Sequence, residues 1–264
     1  MAQISSGDIH LPFDVIDLII SELASDKDIV SLRACSLTCK AIVPLARKHI
    51  FAKVEIGNTK ETEGCGKPLA NRSTCLLRLL ESDPSLADSV RSFKYIEVFG
   101  HNHLRWPAFR NATSLEFGFG SYYGPGLHEQ PWKDIPESLR VSFCNFISSN
   151  SFKELSLCNM AFPVSLFHEM PHLTSLAFNS LTFVDVADRR RLPKAKLTRL
   201  SFICKTQFQA SDLRTLLGGA FDLSQLQELS MELAFYPSYD FADVVGGFIS
   251  ASEQLRALSF EGES

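Results

Sequence analysis

Residues 152–157 read FKELSL, and residues 173–178 read LTSLAF. Each places apolar residues at its first, fourth and sixth positions, with polar or small residues between. The last three positions alternate, as in a strand with one face in a core and the other open. The same spacing occurs at Val90-Phe93-Tyr95, Ala112-Leu115-Phe117, Leu197-Leu200-Phe202, Leu226-Leu229-Met231 and Leu255-Leu258-Phe260. The middle residues of successive motifs are 22, 40, 21, 24, 29 and 29 apart. Apart from the interval of 40, which corresponds to a missed or inserted unit, these match the period of about 20–29 residues of stacked strand-and-helix units.

Helical stripes lie between the motifs. Leu139, Phe143, Phe146 and Ile147 form one; Leu213, Leu216 and Leu217, capped by Ser211, form a second; Phe241, Val244, Val245 and Phe248 form a third. Two of these units share a local likeness, LLGGAF at 216–221 and VVGGFI at 244–249. Parallel strands are therefore expected on one face and helices on the other. The array resembles leucine-rich repeats in a degenerate form, because Met160, Leu181 and Lys205 stand where that family places Asn. The resemblance implies an α/β fold, a repeat solenoid with a parallel sheet. Phe occurs 21 times against five Tyr and two Trp, which suits a long layered core. No polar capping helix follows the last motif, so the final unit is expected to expose its apolar face.

The outward strand positions are small and mild, and Ser156, Ser201, Ser230 and Ser259 recur at one register. A solvated face is the expectation there, since binding hot spots favour Trp, Tyr and Arg. The loops carry the larger rings: Trp106, Tyr122, Tyr123, Tyr236 and Tyr239. Loops on a rigid scaffold often bind, so these five are the candidate target-binding residues.

Upstream lies a stretch of different character, LPFDVIDLIISELASDKDIVSLRACSLTCKAIVPLARKHIF at residues 11–51. Pro12 is expected in the first turn of a helix, where its missing N–H costs nothing. Val15, Leu18, Ile19 and Leu23 make one stripe, and Ile16 and Ile20 a second face. Two apolar faces need two partners, and a segment this short covers only one. A second helix carries Ile29, Val30, Leu32 and Cys35. A third is expected over Leu37, Ile42 and Val43, ended by Pro44, and a fourth over Leu45, Ala46 and Ile50.

Leu11-Pro12, Asp14, the apolar run Val15–Ile20, Leu32, Cys35-Ser36-Leu37, Cys39-Lys40 and Ile50-Phe51 resemble an F-box, closest to the divergent F-box proteins of fungi. Ile42 departs from the pattern, standing where the family usually has Trp. The resemblance implies that Leu11, Pro12, Val15, Ile16, Ile19, Ile20, Leu32, Cys35, Leu37 and Ile42 contact a Skp-type adaptor, and through it a cullin scaffold. The rest of the chain would capture a protein target. Such a chain is a non-catalytic subunit of an SCF ubiquitin ligase. A repeat scaffold without ubiquitin transfer is the alternative.

The organisation expected is a tail at 1–10, the helical module at 11–54, a linker and helix at 55–88, and the repeats at 89–264. Val54 and Ile56 start a strand, 57–73 form a loop or linker, and Thr74–Ser82 form a helix stopped by Asp83-Pro84.

The remaining features exclude function classes. Net charge is −4, which gives no basic field for nucleic acid. No run of about 18 apolar residues indicates a membrane span, and the N-terminus lacks a secretory pattern. The seven scattered cysteines imply free, buried thiols in a reducing compartment, cytoplasmic or nuclear. Gly118, Gly120 and Gly124 miss the dinucleotide fingerprint by one residue. His101 with His103, and Cys35 with Cys39, lack further partners for a metal. The basic run of Arg189, Arg190, Arg191, Lys194 and Lys196 reads as a charged loop. No cofactor, metal or catalytic residue is expected.

Overall fold

The structure, a computed structural model, describes residues 11–57, 69–97, 106, 109–119, 130–184, 195–204, 221–233 and 239–262. The chain divides into two compact units, residues 1–53 and 54–264.

Among the described residues the first unit holds three helices, α1 (Phe13–Ser25), α2 (Ile29–Ser36) and α3 (Val43–Ile50). Pro12 is the N-cap of α1, and its carbonyl accepts from the Val15 and Ile16 amides at 3.0 and 3.2 Å. Lys27 turns the chain with φ +58°, and Asp28 caps α2 by accepting from the Ser31 amide at 3.0 Å. The helix expected over Leu37, Ile42 and Val43 does not form. Leu37 is the C-cap of α2, Ile42 is the N-cap of α3, and turns join them. Pro44 sits in the first turn of α3, where it starts a helix instead of ending one.

The second unit is mixed α/β around a large, mainly parallel sheet. Its strands are β1 (Lys53–Gly57), β2 (Ser92–Glu97), β3 (Ser114–Phe119), β4 (Gln130–Pro131), β5 (Glu154–Pro163), β6 (Ser175–Val184), β7 (Ala195–Lys196), β8 (Arg199–Cys204), β9 (Phe221–Asp222), β10 (Glu228–Leu233) and β11 (Ala257–Gly262). Among the described residues its helices are α4 (Leu69–Ser82), α5 (Pro84–Ser89), α6 (Glu137–Ile147) and α7 (Tyr239–Ala251). Among the described residues the main sheet runs β1-β2-β3-β5-β6-β8-β10-β11, with β4 beside β5, and β7 pairs with β9 separately. Because β1 belongs to this sheet, the second unit begins at residue 54, the last residue of the expected helical module. Asp83-Pro84 stops α4 as expected, but Pro84 also opens α5.

The motif positions align without a slip. Phe93, Leu115, Leu155, Leu176, Leu200, Leu229 and Leu258 lie on one line across the sheet. Six of the seven are buried, as are Tyr95, Phe117, Leu157, Phe178, Phe202 and Met231 on the neighbouring line. Ser156, Ala177, Ser201, Ser230 and Ser259 align on the opposite face. Each motif after the first begins on a shared carbonyl. The oxygens of Arg91, Thr113, Lys153, Thr174, Thr198 and Gln227 each accept two amides of the following motif, at 2.8–3.2 Å.

The interval of 40 hides no strand of this line, since Leu115 pairs directly with Leu155. It is an insertion carrying β4, a 3-10 turn at Trp132–Asp134, and α6. All four stripe residues of α6 are buried. On α7, Val245 and Phe248 are buried. The stripe at Leu213, Leu216 and Leu217 lies outside the described residues. The interval of 21 has room only for a 3-10 turn, Val164–Glu169, between β5 and β6.

Aromatic rings fill the core. Tyr95 stacks on Phe117 at 6.0 Å and Phe178 on Phe202 at 5.5 Å, while Phe143 meets Phe117, Trp132 and Phe162 between 5.1 and 5.9 Å. In β5 and β6 the alternation shifts phase at Asn159 and Ser180, which both have positive φ, 52° and 51°. Asn159 Nδ2 donates to the Phe119 carbonyl on β3 at 2.8 Å. Thus Asn159 ties β5 to β3 at the point where the alternation shifts.

Candidate docking surface

The first unit closes its own core with few atoms. Ile20 of α1, Leu32 of α2 and Ala46 of α3 are its buried apolar residues, each about 1% exposed or less. Ile16 and Leu23 flank Ile20 half-buried. At 100° per residue, Ile16 and Ile20 share a face of α1, Leu18 falls opposite, and Val15 and Ile19 lie along the flank between. This outer surface is open, with Leu18 61% exposed and Val15 and Ile19 also exposed. Leu11 and Phe13 extend the exposed set at the start of α1. Ile29, Val30 (77%) and Leu37 (86%) add to it around α2. Among the described residues, eight of the thirteen exposed large hydrophobics lie between positions 11 and 37. So dense an apolar surface on a small unit marks an interaction site rather than ordinary scatter.

The ten expected adaptor contacts therefore divide. Leu11, Pro12, Val15, Ile19 and Leu37 are exposed, and Ile16, Cys35 and Ile42 are half-buried. Ile20 and Leu32 are a correction: they face the interior, where they join the three helices and leave no atom for a partner. Phe13, Leu18, Ile29 and Val30 complete the exposed set and were outside the expected contacts. Leu18 was visible in the helical stripe; Val30 carried no signal beyond its apolarity.

Asp14, Asp17 and Glu22 of α1 are exposed as well. Asp14 lies in the first turn of α1, a favourable place for a carboxylate. Asp28 is held below its ordinary pKa by hydrogen bonding from Ser31.

The five expected target-binding rings fare differently. Trp106 is a correction: it is 6% exposed and packs on Phe93, Tyr95 and Phe117 at 5.0, 5.2 and 5.7 Å. It belongs to the aromatic core. Tyr122, Tyr123 and Tyr236 lie outside the described residues, and Tyr239 is the first residue of α7. On the open sheet face, Lys94 pairs with Glu116 and Arg199 with Glu154, both at 2.7 Å.

Gly118 takes a structural place in β3 facing Cys158, and a Cβ there would lie 2.5 Å from the Cys158 carbonyl oxygen. Gly120, Gly124, His101, His103 and Arg189, Arg190, Arg191 and Lys194 lie outside the described residues, while Lys196 is exposed on β7. Cys39 and Cys75 are exposed free thiols, against the expectation of burial. Among the described residues no group of three or more potential metal ligands assembles, and no helix is long and apolar enough to cross a membrane.

No protein-family model, no curated protein and no solved structure matches this chain.

Proposed function

We propose that this chain is the substrate-recognition subunit of a cullin-type ubiquitin ligase. In this reading the N-terminal helices are an F-box that docks on a Skp-type adaptor, and the strand-and-helix units are degenerate leucine-rich repeats that hold a protein target. The observation that carries the reading is the second face of α1. Val15, Leu18 and Ile19 stay exposed although Ile16 and Ile20 already complete the unit's own core. A helix that merely capped a repeat array would need one apolar face.

The chain would supply position and no catalytic group. Holding the target beside a charged conjugating enzyme turns ubiquitin transfer into a reaction at high effective concentration. The alternative, a repeat scaffold without ubiquitin transfer, is favoured by one observation. Ile42 caps α3 half-buried where the F-box pattern has Trp, so a large adaptor-facing ring is missing.

Co-purification with a Skp-type adaptor separates the two. The unaltered chain is expected to form a stoichiometric complex, which Val15→Asp with Ile19→Asp abolishes and Leu11→Ala with Pro12→Ala weakens. Absence of a complex, where established F-box chains bind, rejects the ligase reading.

A further inference from the structure

The exposed stripe of α1 changes character along its length. Leu11, Val15, Leu18 and Ile19 make its apolar part. Glu22 in the last turn and Asp26 at the C-cap, both exposed, continue it. At 100° per residue each lies within about 20° of Val15 around the helix axis, two and three turns further along. A carboxylate at that end meets the negative pole of the helix, the unfavourable place for it. No basic residue stands in the last turn. Lys27 follows, yet among the described residues it forms no ion pair with Glu22 or Asp26. Asp14, at the other end, is placed as the dipole prefers. Two carboxylates thus cost the free helix stability at the point where its docking stripe ends. Local conflict of this kind is expected at functional positions.

We propose that the partner seated on α1 presents an apolar groove that ends in a Lys or Arg side chain, placed against Glu22 and Asp26. The proposal rests on the reading of α1 as the adaptor-docking helix, and it names the chemistry of the adaptor's side. One cation there answers both carboxylates and the helix pole together. A second copy of α1 cannot supply it, because residues 11–26 contain no Lys, Arg or His. At the rim of an apolar contact such a charge governs the rate of encounter more than the lifetime of the complex.

The test measures association of the full chain with a purified Skp-type adaptor in dilute and in molar salt, beside thermal unfolding of the free chain. Glu22→Gln with Asp26→Asn is expected to raise the melting temperature of the helical unit, because the helix pole is relieved. The same variant should associate several-fold more slowly in dilute salt. Glu22→Lys with Asp26→Lys should slow association further, and molar salt should erase the differences. Glu253→Lys, an exposed position in the other unit, controls for net charge and should have little effect. A complex whose association rate ignores both substitutions and salt overturns this inference and leaves the ligase reading standing. A neutral variant that melts lower marks the carboxylates as structural and overturns it too. A free chain that sediments as a dimer, dispersed by Val15→Asp with Ile19→Asp, gives the stripe to a second copy and overturns it. No complex with the unaltered chain rejects the ligase reading and this inference with it.

Discussion

Arg199 on β8 donates from Nη2 to Glu154 Oε1 on β5 at 2.7 Å, reaching across Ser175 on the intervening strand β6. The small side chain at 175 leaves the path open. Both partners are about half exposed, so solvent screens the pair. A double-mutant cycle with Arg199→Ala and Glu154→Ala should give a coupling of only about 0.2–1 kcal/mol. Denaturant unfolding at low salt reads it, and the coupling should shrink in molar salt. A larger, salt-insensitive value would mean that the bridge is shielded in solution.

Two consecutive residues of α1 should behave oppositely. Ile20→Ala empties a buried site and should cost about 2–5 kcal/mol of stability in the helical unit. Ile19→Ala, on the exposed face, should change stability by no more than about 0.5 kcal/mol. Its effect should appear in adaptor affinity instead. Thermal unfolding together with a binding titration on both variants checks the reversal.

Gly118→Ala should destabilise the sheet by about 1–3 kcal/mol, the usual cost of forcing a methyl group into packed surroundings. The obstacle is the Cys158 backbone, which cannot rotate away as a side chain could. An unchanged denaturation midpoint would show that β3 and β5 separate more easily than their register suggests.

Asp28 links the helical unit to acid. Its folded pKa is lowered, so the stability that it contributes is present above its ordinary carboxylate range and is lost as pH falls through the folded value. Asp28→Ala should lower the melting temperature at neutral pH, and the difference from the parent chain should vanish toward strong acid. Melting curves across that range test the sign.

Thiol labelling should rank the cysteines by environment. Cys39 and Cys75 are exposed, whereas burial, aided by the Glu169 carboxylate, pushes the Cys144 thiol up. Alkylation of the native chain at mildly alkaline pH, followed by mass spectrometry, should modify Cys39 and Cys75 well before Cys144.

The ladder of Phe93, Leu115, Leu155, Leu176, Leu200, Leu229 and Leu258 was legible because a strand needs only three well-spaced side chains to declare its inner face. The two faces of α1 were legible for the same reason, at helical spacing. What escaped was set by partners distant in sequence. Trp106 sits in a segment with no periodicity, and its packing on Phe93, Tyr95, Phe117 and Phe146 brings it inside. Ile20 and Leu32 are as apolar as Ile19 and Val30, and their burial depends on which faces α3 covers. The interval of 40 could not distinguish a hidden strand from an insertion, because that depends on whether β3 and β5 touch. The segment from Leu37 to Ile42 has helical composition but lies between two caps, and capping decided the outcome.

The shared carbonyls at the motif starts also bear on how the sheet comes apart. After the first motif, the leading amides of each are accepted by the unit before it. Peeling β11 away uncovers the Gln227 acceptor, and removing β10 next uncovers that of Thr198. Loss should therefore travel like a zipper from the open edge inward, with amide protection graded along the chain and no single strand acting as a keystone.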